Sequence, residues 1–438
     1  MLKTKDPKIY NLIKKEELRL KNTLQMIASE NSPSKEVLEA LGSVFNFKYS
    51  EGYPYQRYYQ GTVNTDEVEV AAEERARNLF KVPFVNVQPY SGSPANAAVQ
   101  LALLKPLKSK IMGLSLAYGG HLTHGASVSF SGKLFKTISY ELNKEGLLDY
   151  GKIKKIAIKE KPDLIICGAT AYPRIIDFKK FAEIADKVGA YLLADISHIA
   201  GLIVAGVHPS PARYAHIITT TTHKTLRGPR GALIMVTNKG IKKDPNLSSK
   251  IDKAVFPGLQ GGPHQNQTAA IAVALKEASG RSFKKYGEQV VRNSKVLAAE
   301  LKKHGFNLVS GGTDNHLILI DLRNKAVNGA IAALALETAG IILNKNAVPN
   351  DQNPPFYPAG LRLGTAALTT QGMKEREMVK IAKWINEVIN ECPQILLPKT
   401  KGERKIIWDK FKKDIAKAEK LLKIAKEVKF FCARFPLP

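Results

Sequence analysis

The sequence predicts an α/β protein with a largely parallel sheet, followed by a smaller α+β unit. Three observations carry this. Short apolar runs take turns with longer helical patterns from Asp66 to Val236. The short runs, such as "DLIICGAT" and "AYLLADIS", are nearly continuous in apolar residues, as strands buried on both faces must be. The chain has 438 residues, 44% hydrophobic and 24% charged, which is enough for more than one core.

The elements run in order. The first stretch, to about Leu41, is charged and helical, with Ser32 as N-cap, Pro33 at the first helical position and Glu36 shortly after. The segment from Lys48 to Thr62 is rich in Tyr and Gly and has no period, so it reads as a loop suited to an interface or a site. Then come a helix over 66–80, strand 84–90, helix 93–104, strand 110–116, strand 134–140, helix 150–160, strand 163–170, helix 177–189 and strand 190–197. Strands at 216–221 and 232–237 close this half. A boundary falls after "FPGLQGGPHQNQT". Beyond it lie helices at 269–279 and 286–305, strand 316–322, helix 329–340, strand 361–365 and helix 375–391. The expected division is an N-terminal helical arm over 1–40, a large domain over 41–269 and a small domain over 270–438.

The net charge is +27, with 66 Lys and Arg against 39 Asp and Glu. The lysines are scattered from Lys3 to Lys429 without an aromatic-interleaved basic block, so they read as a lysine-rich surface. The densest basic part, Lys399 to Lys429, keeps an added RNA-binding role as an alternative. The three cysteines, Cys167, Cys392 and Cys432, have no metal-type spacing and suggest a reducing compartment. The N-terminus lacks a signal-peptide core, and no run approaches the ~18 apolar residues of a membrane span. A cytoplasmic location and no membrane association are expected.

Several residues carry possible chemistry. Asp195 ends an apolar strand in "ADISHIAGL", where it is either a helix cap or a ligand partner. Lys224 lies in "TTTTHKTLRGPRG", among small, apolar and hydroxylic neighbours. An Asp and a later Lys, both at strand ends, fit a pyridoxal phosphate site. Ser91, Gly92 and Ser93 lie between a strand and a helix, as a capped turn or a phosphate cradle. In "YGGHLTHG", His121 suits a ring stacked on a flat cofactor, while His124 reads as a surface-turn histidine. No carboxylate or cysteine stands there at metal spacing, so no metal is expected. Arg362 in "GLRLGT" is a surface ion pair or a clamp for a substrate carboxylate.

Taken with "IASENSPS", "EGYPYQRYYQGT", "VQPYSGSPAN", "FPGLQGGP", "VSGGTDNHL", "NKNAVPND" and the tail "CARFP", these motifs cover nearly the whole chain. In this order they resemble serine hydroxymethyltransferase, a pyridoxal phosphate enzyme of the aspartate-aminotransferase-like fold (fold type I). The resemblance implies a large domain with a mostly parallel seven-stranded sheet and a smaller C-terminal α+β domain. It implies interconversion of serine and glycine with tetrahydrofolate as cosubstrate, in a homodimer with shared active sites. An aldolase for threonine-like amino acids on the same scaffold is the alternative enzyme.

The resemblance also assigns residues. Lys224 forms the Schiff base, Asp195 pairs with the pyridinium nitrogen, and His121 stacks on the ring. Ser91, Gly92, Ser93 and His223 surround the phosphate, joined by Tyr49 and Gly262 of a neighbouring subunit. Thr170 and His198 contact the ring oxygen and the substrate region. Arg362, helped by Ser29, takes the substrate carboxylate, and Glu51 and Tyr59 sit where the hydroxymethyl group reacts. Leu116, Gly120, Leu122, Asn346 and Phe356 form the folate pocket. Three positions depart from the family pattern: Pro94 replaces a common glutamine, Tyr118 a histidine, and Thr170 a serine.

Overall fold

A computed structural model describes residues 1–394 and 400–437. Contacts divide them into two compact units, Pro33–Val291 and the pair Met1–Ser32 with Arg292–Pro438.

The larger unit is built on a seven-stranded sheet. Its strands are β1 (Phe84–Asn86), β2 (Lys110–Leu114), β3 (Lys136–Tyr140), β4 (Leu164–Cys167), β5 (Tyr191–Asp195), β6 (Ile217–Thr221) and β7 (Ala232–Val236). They lie in the order β1-β7-β6-β5-β4-β2-β3. β7 runs antiparallel to both β1 and β6, and the remaining pairs are parallel. Alternate residues of each strand enter different cores. Ile165 and Cys167 pack with the helices Val63–Phe80, Tyr150–Glu160 and Phe178–Val188. Leu164 and Ile166 pack with Gly92–Leu103 and Leu247–Val255. Helices on both faces explain why the strands read as unbroken apolar runs.

Capping sets the helix ends. Asp177 accepts from Lys180 N to start Phe178–Val188, and Gly189, at φ +73°, ends it in the left-handed region. The first helix of this unit starts later than expected. Its N-cap is Ser34, which accepts from Val37 N, so Ser32 and Pro33 lie outside it.

The smaller unit carries an antiparallel four-stranded sheet of β8 (Asn307–Leu308), β9 (Leu317–Asp321), β10 (Asn344–Asn346) and β11 (Gly360–Gly364), in the order β8-β9-β11-β10. Its core gathers Trp384, Ile385, Val428 and Phe431. Residues 1–32 belong to this unit and are not a separate arm. Leu24 N donates to Gly340 O at 2.9 Å and Met26 N to Ile342 O at 2.7 Å, pairing Leu24–Gln25 with Ile341–Ile342. The division between the units falls within the helix Arg281–Lys303, later than the expected residue 270. The helix Gln265–Ala278 packs on Val63–Phe80 and Lys35–Leu41 and stays with the larger unit. Lys399, at the head of the densest basic stretch, lies outside the described residues. The rest of that stretch forms the helices Lys401–Ile415 and Glu419–Cys432. No described helix is long and apolar enough to cross a membrane.

Candidate active site

The carboxyl ends of parallel strands are where an open α/β sheet binds ligands. Asp195 is the last residue of β5, and Thr221 is the last of β6. The Asp195 carboxylate is 9% exposed and fully engaged. Oδ2 accepts from His124 Nε2 at 2.9 Å and from Asn96 Nδ2 at 2.8 Å. Oδ1 accepts from Ser197 N at 3.1 Å and Ser197 Oγ at 2.6 Å. Burial alone would raise its pKa, but the bonds from His124 and Ser197 and the nearby His121 outweigh it. The carboxyl therefore sits far below the usual range, and Asp195 is a permanent anion.

A hydrogen-bonded path leads from this anion to Lys224. Ser197 Oγ accepts from Thr221 N at 3.1 Å, and Lys224 Nζ donates to Thr221 Oγ1 at 2.7 Å. The start of the helix Gly92–Leu103 presses on the same threonine: a Cβ at Gly92 would lie 2.7 Å from Thr221 Cγ2. Below Lys224 the chain turns tightly. Gly228 N donates to Thr222 O at 2.7 Å, Thr222 Oγ1 donates to Pro229 O at 2.6 Å, and a Cβ at Gly231 would come within 2.9 Å of Ile271 Cδ1. The threonine row and the glycines thus fix the backbone that presents the amine.

His121 and His124 follow β2 in a short 3-10 turn. His121 Nδ1 meets Thr123 Oγ1 at 2.8 Å. Burial, then the neighbouring His124, pushes the His121 pKa down to about 4, so the ring is neutral at pH 7. Burial, then Lys224 and Arg230, lowers His223 to about 3. Thr170 Oγ1 donates to Gly120 O at 3.0 Å and Gly119 O at 3.2 Å, tying the loop after β4 to this turn. His198 is buried, and its carbonyl accepts from Thr225 Oγ1 at 2.9 Å, one residue past Lys224. Leu116 and Leu122, about half exposed, flank Gly120 and His121.

A second cluster lies in the same unit. Tyr49 and Tyr59 each donate to Glu51, to Oε1 and Oε2, at 3.4 Å. The two rings are 5.1 Å apart. A Cβ at Gly262 would lie 3.1 Å from Tyr49 Cζ, and Gly262 O accepts from Tyr90 Oη at 2.8 Å. The segment expected to be wholly a loop contains a small hairpin, Gly52–Tyr53 against Gln56–Arg57.

In the smaller unit, Arg362 lies on β11 and donates from Nε to Asn344 Oδ1 at 3.1 Å. Burial lowers its pKa to about 10, which leaves it a cation. Gly364 N donates to Met26 O at 2.8 Å, and a Cβ at Gly364 would lie 2.8 Å from Ala28 Cα. The segment leading to Ser29 therefore runs against the strand of Arg362. Asn346 is on β10, and Phe356 is 76% exposed.

The sequence reading of His124 is overturned. It is 4% exposed, not on the surface, and it holds Asp195. Asn96, Thr123, Ser197 and Thr219, which orients Asn96 through a 2.7 Å bond, were missed as supports of the same anion. The donor atoms of His121, His124 and Asp195 also fall within 4.8 Å of one another, a grouping that could hold a cation. Local spacing could not reveal it, because the carboxylate arrives from 71 residues later. The Asp195 oxygens in that group are occupied by protein donors.

A family model described as serine hydroxymethyltransferase matches residues 2–385. The chain belongs to the serine hydroxymethyltransferase family. A serine hydroxymethyltransferase of Desulfotalea psychrophila is 53% identical over 437 residues, covering 100% of this chain and 96% of the relative. Those of Wolbachia sp. subsp. Drosophila simulans (strain wRi) and Wolbachia pipientis wMel are 56% and 55% identical over 389 residues, covering 89% of this chain and 90% of each relative. Serine hydroxymethyltransferases are fold type I enzymes that use pyridoxal phosphate and tetrahydrofolate to interconvert serine and glycine, and this chain is such an enzyme.

The residues present suit that cofactor. His223 Nδ1 is buried without a partner among the described residues. The Ser91 hydroxyl, at the head of a helix, is not spent on capping it. Both are free to meet a phosphate, and the anionic Asp195 suits a protonated ring nitrogen.

Proposed function

We propose that Lys224 is the amine that holds pyridoxal phosphate and yields it to the amino acid. The observation that carries this is the Lys224–Thr221–Ser197–Asp195 path, which sets the Asp195 anion and the Lys224 amine on one hydrogen-bonded frame. Pyridoxal phosphate, when bound, supplies a ring that accepts the electron pair left at Cα when the Cα–Cβ bond breaks. Asp195 keeps a proton on the ring nitrogen, so its help is greatest in the transition state. His121, neutral, would stack on the ring when it is bound. Ser91, Gly92, Ser93 and His223 bind the phosphate, with Tyr49 and Gly262. Thr170 and His198 orient the ring oxygen and substrate. Arg362 grips the substrate carboxylate with Ser29 beside it. Glu51 moves the proton of the substrate hydroxyl, steadied by Tyr59. Leu116, Gly120, Leu122, Asn346 and Phe356 receive the folate.

The working form is a homodimer whose sites are shared. Exposed Val44, Phe47, Tyr55 and Tyr58 beside the Glu51 cluster support an interface there. A cytoplasmic location accords with three cysteines that are free and buried. Borohydride reduction of the holoenzyme, followed by peptide mapping, tests the assignment: the cofactor should be fixed on Lys224, and a label on any other lysine rejects it.

A further inference from the structure

Glu51 sits between two residues whose backbones are held from below. The Arg57 side chain is 2% exposed. Nη1 donates to Ser50 O at 3.1 Å and Gly52 O at 2.7 Å, the carbonyls on either side of Glu51. Its remaining arms reach two buried carboxylates, Nε to Asp66 Oδ1 at 2.8 Å and Nη2 to Glu69 Oε2 at 2.7 Å. Gln88 Nε2 adds a second donor to Gly52 O at 2.9 Å and also bonds Glu69 Oε1 at 2.7 Å. Gln265 Nε2 bonds Ser50 Oγ at 3.0 Å and Glu69 Oε2 at 3.2 Å. The Glu51 carboxylate stands apart from this network, where it accepts from the Tyr49 and Tyr59 hydroxyls at 3.4 Å each.

A buried ion pair is a poor source of stability, because removing two charges from water costs about what their attraction returns. What it supplies is geometry. A planar guanidinium has five donors in a fixed fork, so it can fix two carbonyls and two carboxylates at once. Lysine, with one mobile ammonium, cannot.

We infer that Arg57 is a positioning residue for the reaction: by gripping the carbonyls of Ser50 and Gly52 it sets where the Glu51 carboxylate stands. Gln88 and Gln265 brace the same two residues. The inference rests on the proposed role of Glu51, and it holds whether Glu51 serves its own chain's site or a neighbour's.

The test compares Arg57→Lys, Gln88→Met and Glu51→Gln holoenzymes in serine turnover with tetrahydrofolate. Arg57→Lys keeps the charge but loses the fork. Its kcat should fall ~10-fold or more, since small misplacement of a reacting group is costly. Its KM for serine should stay within ~3-fold and its visible cofactor absorbance should not move, because the carboxylate clamp Arg362 and the cofactor lysine Lys224 lie outside this network. General loosening of the unit would instead raise KM and weaken cofactor binding together. Gln88→Met removes the second donor to Gly52 O and one donor to Glu69 Oε1 while Arg57 and both its carboxylates remain, and should show the same kcat-only loss at smaller size. It decides the matter if Arg57→Lys does not fold. A slow Glu51→Gln beside folded Arg57→Lys and Gln88→Met variants of parental kcat overturns the positioning role alone. Parental turnover by Glu51→Gln overturns the role of Glu51 and this inference with it.

Discussion

His124 Nε2 lies 2.9 Å from Asp195 Oδ2, deep enough that His124 keeps 4% of its surface. A carboxylate can only accept, so Nε2 carries the proton and the tautomer is fixed. The pair explains how an aspartate largely shielded from water remains ionised. On the role proposed for Asp195, it also makes His124 a support for the proton on the cofactor's ring nitrogen. Hydrogen bonds to charged groups contribute about 1.5–3 kcal/mol. His124→Ala should therefore lower kcat ~10-fold or more and weaken cofactor binding. Cofactor affinity and kcat both at parental values would refute this.

Lys224→Ala should bind the cofactor without fixing it, because Asp195, Ser91 and His223 remain. Turnover should drop by at least ~10³-fold, as for other residues that act within a catalytic unit. Sustained multiple turnover in the purified variant would reject the lysine assignment.

Much of this was legible in the chain. The unbroken apolar runs of Leu164–Cys167 and Tyr191–Asp195 announce strands covered on both sides, and a strand-final Asp points to the ligand-binding edge. His124 was not legible. Its role depends on strand order, which brings the turn after β2 to the end of β5 across 71 residues. Glycines on both flanks made it look like an ordinary turn residue. The hairpin at Gly52–Arg57 also left no period to read. Only two residues on each side pair, and buried Arg57 holds the shape. The start of the helix Lys35–Leu41 was misplaced by two residues because Ser32 and Ser34 both flank Pro33 and both can cap.

Glu73 should make the larger unit lose stability in base. Burial, then the neighbouring Glu69, raises its pKa to about 8 against the opposing pull of Arg77, 3.5 Å away. The folded state thus holds this proton more tightly than the unfolded chain, whose Glu titrates at about 4.3. The contribution is full below the unfolded value and disappears as pH rises through 8. Asp252, raised to about 6 by burial, acts in the same direction at lower pH. Glu73→Gln cannot ionise. Its Tm, relative to the parent, should gain ~2 °C or more between pH 6 and pH 9, read by scanning calorimetry. A Tm difference that does not change with pH would remove Glu73 as the source.

Arg362→Ala should lose amino-acid binding while its cofactor absorbance stays in place. Removing one partner of a buried charge pair costs about 2–5 kcal/mol, so KM for serine should rise ~30-fold or more. Arg362→Lys should restore only part of this, because the fork geometry is gone. An unchanged KM in Arg362→Ala would rule out the clamp.

Shared sites can be tested by mixing two crippled chains. Within one chain, Glu51 gathers with Tyr49, Tyr59 and Gly262, while Lys224 meets Thr221 at the end of β6. If a neighbour's Glu51 completes each site, the two defects can be separated. Lys224→Ala and Glu51→Gln proteins are mixed, unfolded and refolded so that subunits exchange. A hybrid dimer then has one site with both residues intact and one with neither. Random pairing makes about half of the dimers hybrids. Activity should rise well above either parent, to about a quarter of the unmutated enzyme's, since half of the sites in half of the dimers are whole. If sites are private, every hybrid site keeps one defect and mixing adds nothing. Mass spectrometry that finds hybrids without a gain in activity would assign Glu51 to its own chain's cofactor.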